Sequence, residues 1–270
     1  MTMPKPTEND ALINVSIEEQ TATLTISNPK KRNAFTQHMC IQLRQIASRL
    51  EQDPDVRIVV LRGAQGDFSA GAAIDDLSSI LFDTSGGEDP VDHFSAADQA
   101  LSQLSKPTVS VVEGVCMGGG WQMASACDFI LASSTARVAI TPAKIGILYP
   151  RRGVERLIRM VGPSRAKYVL MSAKTFSAQQ AQELGLLTEV IAAGGFETNI
   201  QDFISNLLRR SRFSQEKLKE FIDLFSLDSA TAGYAWDRSW EEMLKGPDMH
   251  IGIEAFREQM SPQFRWTPLR

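Results

Sequence analysis

Three consecutive glycines, Gly118, Gly119 and Gly120, sit in the stretch Gly114 to Cys127, between an apolar β-branched run and a short helical pattern. Glycine lacks Cβ, so the backbone there can turn sharply and a ligand can approach it closely. The first amides of a helix have no partner inside it and point outward as donors. The N–H of Gly119 is therefore a candidate donor to an oxygen that is gaining negative charge. The stretch Phe68-Ser69-Ala70-Gly71-Ala72-Ala73-Ile74-Asp75 repeats this theme about fifty residues upstream, with only small side chains before a helix start. There Ala70 is the candidate second donor. Two such amides aimed at one oxygen form an oxyanion hole, each contributing about 3 kcal/mol of transition-state stabilisation.

These turns need strands and helices to hold them. Thr108 to Val112 reads as a buried strand, Trp121 to Ala126 as a short helix and Phe129 to Ala132 as another strand. Leu12 to Val15 and Ala22 to Ile26 alternate as strands joined by a polar turn. Thr36 is a plausible N-cap for a helix over Gln37 to Glu51, with Met39, Leu43, Ile46 and Leu50 as its core stripe. Arg57 to Arg62 reads as a strand, and Phe82 to Phe94 as a glycine- and acid-containing loop able to serve as a lid. Arg137 to Ile140 reads as a strand, and Thr141 to Pro150, with a proline near each end, as an irregular loop. A helix over Gly153 to Met160 carries a basic face that includes Arg156. A second opens at Gly162-Pro163, and Ser177 and Gly185 bracket a third.

Composition narrows the class. With 270 residues, 43% apolar and 22% charged, the chain fits one large globular domain or a domain with a helical appendage. A net charge of −4 speaks against a nucleic-acid binder. Cys40, Cys116 and Cys127 lack paired spacing and read as reduced thiols, and His38, His93 and His250 join no ligand cluster, so no metal is expected. No stretch approaches the ~20 apolar residues of a membrane span, nor is a signal peptide visible, so the expected location is cytoplasmic. The expected organisation is a flexible tail over 1–10, a core over 11–196, and a helical C-terminal region over 197–270.

The motifs F-S-A-G-A-x-I at 68–74, G-V-C-M-G-G-G at 114–120 and A-C-D-F-I at 126–130 resemble the crotonase (enoyl-CoA hydratase/isomerase) superfamily. N-P-K-K-R-N-A-F at 28–35 resembles its first coenzyme A contact loop, and the segments around 163–167 and 181–190 its later helix and helix-to-strand turn. The resemblance covers residues 10–195 in order. It implies an α/β fold, a crotonase-like spiral of β-β-α units with a C-terminal helical region. It also implies an acyl-CoA substrate rather than a bound cofactor, and a homotrimer or dimer of trimers. Lys30, Lys31 and Arg32 become candidate contacts to the coenzyme A phosphates.

The same resemblance exposes a departure. The family's hydratases carry two glutamates, one two residues past the glycine triplet and one twenty residues later. Here those positions hold Gln122 and Pro142. Neither exchanges a proton at neutral pH, and a positioned acid or base contributes about 10²–10⁴-fold. Thr141-Pro142-x-x-Ile145-Gly146-x-x-Tyr149 resembles the loop of the family's methylmalonyl-CoA decarboxylases, which makes Tyr149 a candidate proton donor. Those enzymes carry histidine at the position of Ala72 and glutamate at that of Gln122, so Ala72, Gln122 and Pro142 are read as residues around the acyl group. His93 is a further candidate acid or base within the lid. The expected activity is an enoyl-CoA hydratase/isomerase-like enzyme, a lyase or isomerase, that stabilises a thioester enolate. The alternatives are a malonyl-type decarboxylase and a non-catalytic acyl-CoA-binding protein.

Overall fold

The computed structural model describes residues 11–87, 89–226 and 229–268, so the expected tail over 1–10 lies outside the described residues. Strands β1 (Leu12–Glu18) and β2 (Thr21–Ser27) pair antiparallel across a turn in which Glu19 and Gln20 take φ of 45° and 67°. Helix α1 (Gln37–Gln52) starts where the Thr36 hydroxyl accepts from the Met39 amide, and it buries Met39, Leu43, Ile46 and Leu50. Next come β3 (Ile58–Gly63), α2 (Leu77–Leu81), α3 (His93–Ser102) and β4 (Thr108–Val112). The central stretch yields β5 (Val115–Met117), α4 (Gly119–Ser125), β6 (Phe129–Ser133) and β7 (Arg137–Ala139). Helix α5 (Arg151–Ser172) is broken at Gly162, whose φ is 76°, as the Gly-Pro pair demands. Then follow β8 (Phe176–Ser177), α6 (Ala178–Leu184) and β9 (Glu189–Ile191). Four helices close the chain: α7 (Phe196–Leu208), α8 (Arg212–Phe225), α9 (Ser229–Lys245) and α10 (Asp248–Glu258).

The strands form two sheets. The larger runs β1-β2-β3-β4-β6-β9 and is parallel from β2 onward, and the smaller runs β5-β7-β8. A parallel sheet must be covered on both faces, which explains why all five residues of β4 are buried and mostly β-branched. Alternate residues serve different cores: Val59 and Leu61 pack with the α1 side, whereas Ile58 and Val60 pack against Ile200 and Ile204 of α7. Helix α7 thus begins near the expected boundary after residue 196, but by packing it belongs with the sheet it covers. Single bridges tie the segment after β3 to its neighbours, Ser69 to Cys116 of β5 and Ala72 to Phe35. Those bridges fix the site described next.

Candidate active site

Residues 69–73 run between two bridges, at Ser69 and Ala72, and turn at Gly71, whose φ is 109°. The Ser69 amide donates to the Val115 carbonyl at 2.9 Å and the Ala73 amide to the Phe35 carbonyl at 2.8 Å. The Ala70 amide donates to the Arg32 carbonyl at 2.9 Å. That corrects the expectation for Ala70: its N–H is engaged in holding the 28–35 loop and is not available to a ligand. The amide of Ala72, two residues on, donates to no acceptor among the described residues.

The matching donor is Gly119, the first residue of α4, whose N–H also has no acceptor among the described residues. The two amides are close neighbours. A Cβ placed on Gly119 lies 3.2 Å from the Ala72 nitrogen, and one on Gly71 lies 3.3 Å from the Gly119 nitrogen. Each glycine of the triplet has its own reason. Gly118 takes φ 50° and ψ −113°, which a side chain would strain. Any Cβ on Gly119 would meet the Phe94 ring at 2.6 Å, and any on Gly120 the Ser69 carbonyl at 2.5 Å.

Ala72 and Gly119 both line a cavity of about 100 Å³. Its walls include Ile74, Leu77 and Leu81, with Phe94 of α3 close to Gly119. Pro142, in a 3-10 turn, lines it together with Thr141, Ile145 and Tyr149. Among the described residues, no Asp, Glu, His, Lys, Arg or Cys lines it. The structure therefore brings Ala72, Gln122, Pro142 and Tyr149 around the Gly119 amide.

Gln122 is fully buried, and neither its Nε2 nor its Oε1 has a hydrogen-bond partner. The Tyr149 hydroxyl donates to the Gly118 carbonyl at 3.2 Å. Burial pushes the Tyr149 phenol well above its usual range, Asp98 adding to the rise and Arg156 opposing it. The side chain stays protonated near neutral pH, able to give a hydrogen bond or a proton and to accept a bond on its oxygen.

The other candidates lie elsewhere. His93 is not in a solvated lid: it opens α3, is buried, and its Nε2 lies 2.8 Å from Asp83 Oδ2. The Asp83 carboxyl, hydrogen-bonded by His93 and by Ser85, is held down to about 2. That pair fastens the 83–91 hairpin and does not line the cavity. Lys31 pairs with Asp75 at 2.8 Å and Arg32 with Asp67 at 2.7 Å, while Lys30 has no ion-pair partner among the described residues. Arg156 was read as part of a basic helix face, and its guanidinium turns to the fully buried Asp98, at 2.6 Å, and also reaches the Gln122 carbonyl. Asp98 and Phe94 escaped the sequence reading. The one available signal was an aspartate interrupting the apolar pattern Phe94, Ala97, Leu101.

The profile of the enoyl-CoA hydratase/isomerase family matches residues 16–267. The chain belongs to that family. A crystal structure of an enoyl-CoA hydratase/isomerase family member superposes with a TM-score of 0.94 at 46% identity, covering 96% of this chain and 100% of that one. A putative family protein from Hyphomonas neptunium gives 0.83 at 25% identity, over 94% and 97% of the two chains. Among curated relatives, the 2,3-dehydroadipyl-CoA hydratase of Escherichia coli is 28% identical over 93% of this chain and 97% of its own. The 1,2-epoxyphenylacetyl-CoA isomerase of the same organism is 26% identical over 92% and 96%. The fold is the α/β crotonase fold, and the chain is an acyl-CoA-processing enzyme of this family. A hydratase and an isomerase stand side by side among these relatives, at 28% and 26% identity, so family membership leaves the reaction to be read from the cavity.

Proposed function

We propose that this enzyme stabilises the enolate of an acyl-CoA thioester, with the amides of Ala72 and Gly119 as its oxyanion donors. The observation that carries this is the pair of unengaged N–H groups lying side by side at the cavity. Such preorganised donors contribute about 3 kcal/mol each to a developing oxyanion. Among the described residues no carboxylate or imidazole lines the cavity, and Gln122 and Pro142 stand where the resemblance puts the hydratases' two glutamates. The site thus suits chemistry at the α-carbon that needs no side-chain carboxylate. Tyr149 is the one ionisable side chain in the lining among the described residues and is assigned the role of late proton donor.

Lys30, Lys31 and Arg32 are assigned to the coenzyme A phosphates. Lys31 and Arg32 already face carboxylates, so Lys30 carries the free charge of that loop. The C-terminal helices expose Tyr234, Trp240, Ile222 and Phe256, the last 85% exposed, on otherwise polar surfaces. A homo-oligomer, a trimer or dimer of trimers, covers them in this reading, and light scattering at micromolar concentration tests it.

The assay for the reaction gives the purified protein crotonyl-CoA, a malonyl-type CoA and an α-deuterated acyl-CoA, each followed by mass spectrometry. Slow hydration with α-exchange or loss of an α-substituent is expected. Fast hydration would show that another residue supplies the acid and base, and no turnover of any of the three would make the protein a binder of thioesters.

A further inference from the structure

We infer that Ser69 is a positioning residue of the oxyanion site, its hydroxyl holding the turn at Gly71 in the conformation that presents the Ala72 amide beside the Gly119 amide. This rests on the thioester reading above, and it gives a role to a side chain that is not part of the cavity lining.

Ser69 is fully buried and bonded on two sides. Its amide donates to the Val115 carbonyl and its carbonyl accepts from the Met117 amide, both at 2.9 Å. That puts its backbone in register with β5, the strand that runs into Gly118 and Gly119. The hydroxyl serves the other turn. Ser69 Oγ donates to the Asn33 carbonyl at 2.7 Å and accepts from the Gly71 amide at 3.1 Å. Neither of those backbone groups has another partner among the described residues. One serine therefore joins the segment that delivers the Gly119 donor to the segment that delivers the Ala72 donor.

The bonds around Gly71 set a direction. Its carbonyl accepts from the Phe35 amide at 2.7 Å. In a planar trans peptide the carbonyl and the next N–H point opposite ways, so this bond aims the Ala72 N–H away from the Phe35 amide. Gly71 itself takes φ of 109°, and a glycine has other conformations open to it at little steric cost. Holding this one requires a bond on each side of its Cα, from Phe35 on the carbonyl and from Ser69 on the N–H. Without the hydroxyl, the Gly71 N–H and the Asn33 carbonyl lie unpaired, a penalty that rotation about Gly71 relieves. That rotation turns the next peptide and takes the Ala72 donor with it. The backbone bonds of Ser69 to β5 need not break.

The test compares Ser69→Ala with Ser211→Ala, which deletes a buried hydroxyl that caps α8 and bonds Asp248, outside the cavity lining. Butyryl-CoA with an isotope-labelled carbonyl is bound to the whole protein, and infrared difference spectroscopy reads its C=O stretch. In the wild type the two donors should lower that frequency relative to the free thioester. Ser69→Ala should lose most of the shift while calorimetry finds affinity near wild type, and its exchange of an α-deuterated acyl-CoA should slow by about 10²-fold. Ser211→Ala should lose stability and keep the shift. A full shift or lost binding in Ser69→Ala, or an equal loss of shift in Ser211→Ala, would overturn the inference and leave the thioester reading intact. No binding to the wild type, or binding without a shift, would overturn both. If Ser69→Ala does not fold, an ester in place of the Ala70–Gly71 peptide deletes the Gly71 N–H and keeps the serine. The shift should fall there too, and its retention would overturn the inference.

Discussion

The turns at 68–73 and 117–120 begin alike in sequence and differ in hydrogen bonding. In the second, the free amide is the one a local reading selects, because Gly119 opens a helix and helix starts leave donors unpaired wherever they occur. In the first, no helix starts at the critical residue. The free amide is set by a segment held between two bridges, Ser69 to Cys116 and Ala72 to Phe35, with Arg32 taking the Ala70 donor. One donor is local in origin and the other is tertiary. A helix terminus keeps its donor as long as the helix exists, whereas the Ala72 donor exists only while the 28–35 loop is seated.

That contrast can be broken most severely at Gly119. In Gly119→Ala the new methyl meets the Phe94 ring and the Ala72 amide, and turnover of any thioester substrate should fall by about 10³-fold. Gly194→Ala, with nothing within 4 Å of the added carbon, should leave turnover unchanged. Replacing single peptide bonds by esters through semisynthesis separates the turns without touching side chains. An ester removing the Ala72 N–H should cost about 10²-fold in turnover, and one removing the Ala70 N–H about 1 kcal/mol of stability with little effect on rate. Equal kinetic losses at both positions would erase the distinction between engaged and free donors.

Tyr149→Phe should slow turnover by about 10²-fold while thioester affinity stays near wild type. An unchanged rate would return the hydroxyl to its structural bond with Gly118. Gln122→Glu places a carboxyl in the same buried wall, where desolvation raises its pKa. The variant should gain α-deuterium exchange of about 10²-fold, and the gain should grow with pH, because only the ionised form removes a proton and ionisation is postponed by burial. The smallest effect belongs to the cationic loop. Lys30→Ala should weaken thioester binding by about 1 kcal/mol at low salt, and calorimetry at raised ionic strength should find the difference gone.

How much of this was legible in the chain depends on how far each feature reaches. The Thr36 cap, the break at Gly162 and the Ser177–Gly185 helix come from neighbours a few residues apart and stand where their patterns place them, while the first strand runs on to Glu18 and β5 and β8 were not read. Gly119 is equally local. The choice between Ala70 and Ala72 is not, since it turns on which carbonyls of residues 32–35 come alongside. Arg156 is a related case: its arginine neighbours make it read as part of a basic helix face, and only the tertiary position of Asp98 turns its guanidinium to a buried partner. The seating of His93 against Asp83 was hidden because the intervening residues read as a loop. The orphaned carboxamide of Gln122 is the least legible, being defined by contacts that are missing.

Arg156 also sets how this molecule comes apart. Its guanidinium is held by Asp98 of α3 and reaches the Gln122 carbonyl and the Ser125 hydroxyl of α4, while its own backbone belongs to α5. Phe94, Gln122 and Tyr149 contribute to the cavity from α3, α4 and the residues just before α5. Opening any of these helices strands a buried carboxylate or a buried guanidinium, so the three should let solvent in as one cooperative unit. Amide hydrogen exchange would record this as a single shared opening free energy for the three helices. The cavity would then keep its shape up to that event and lose it all at once.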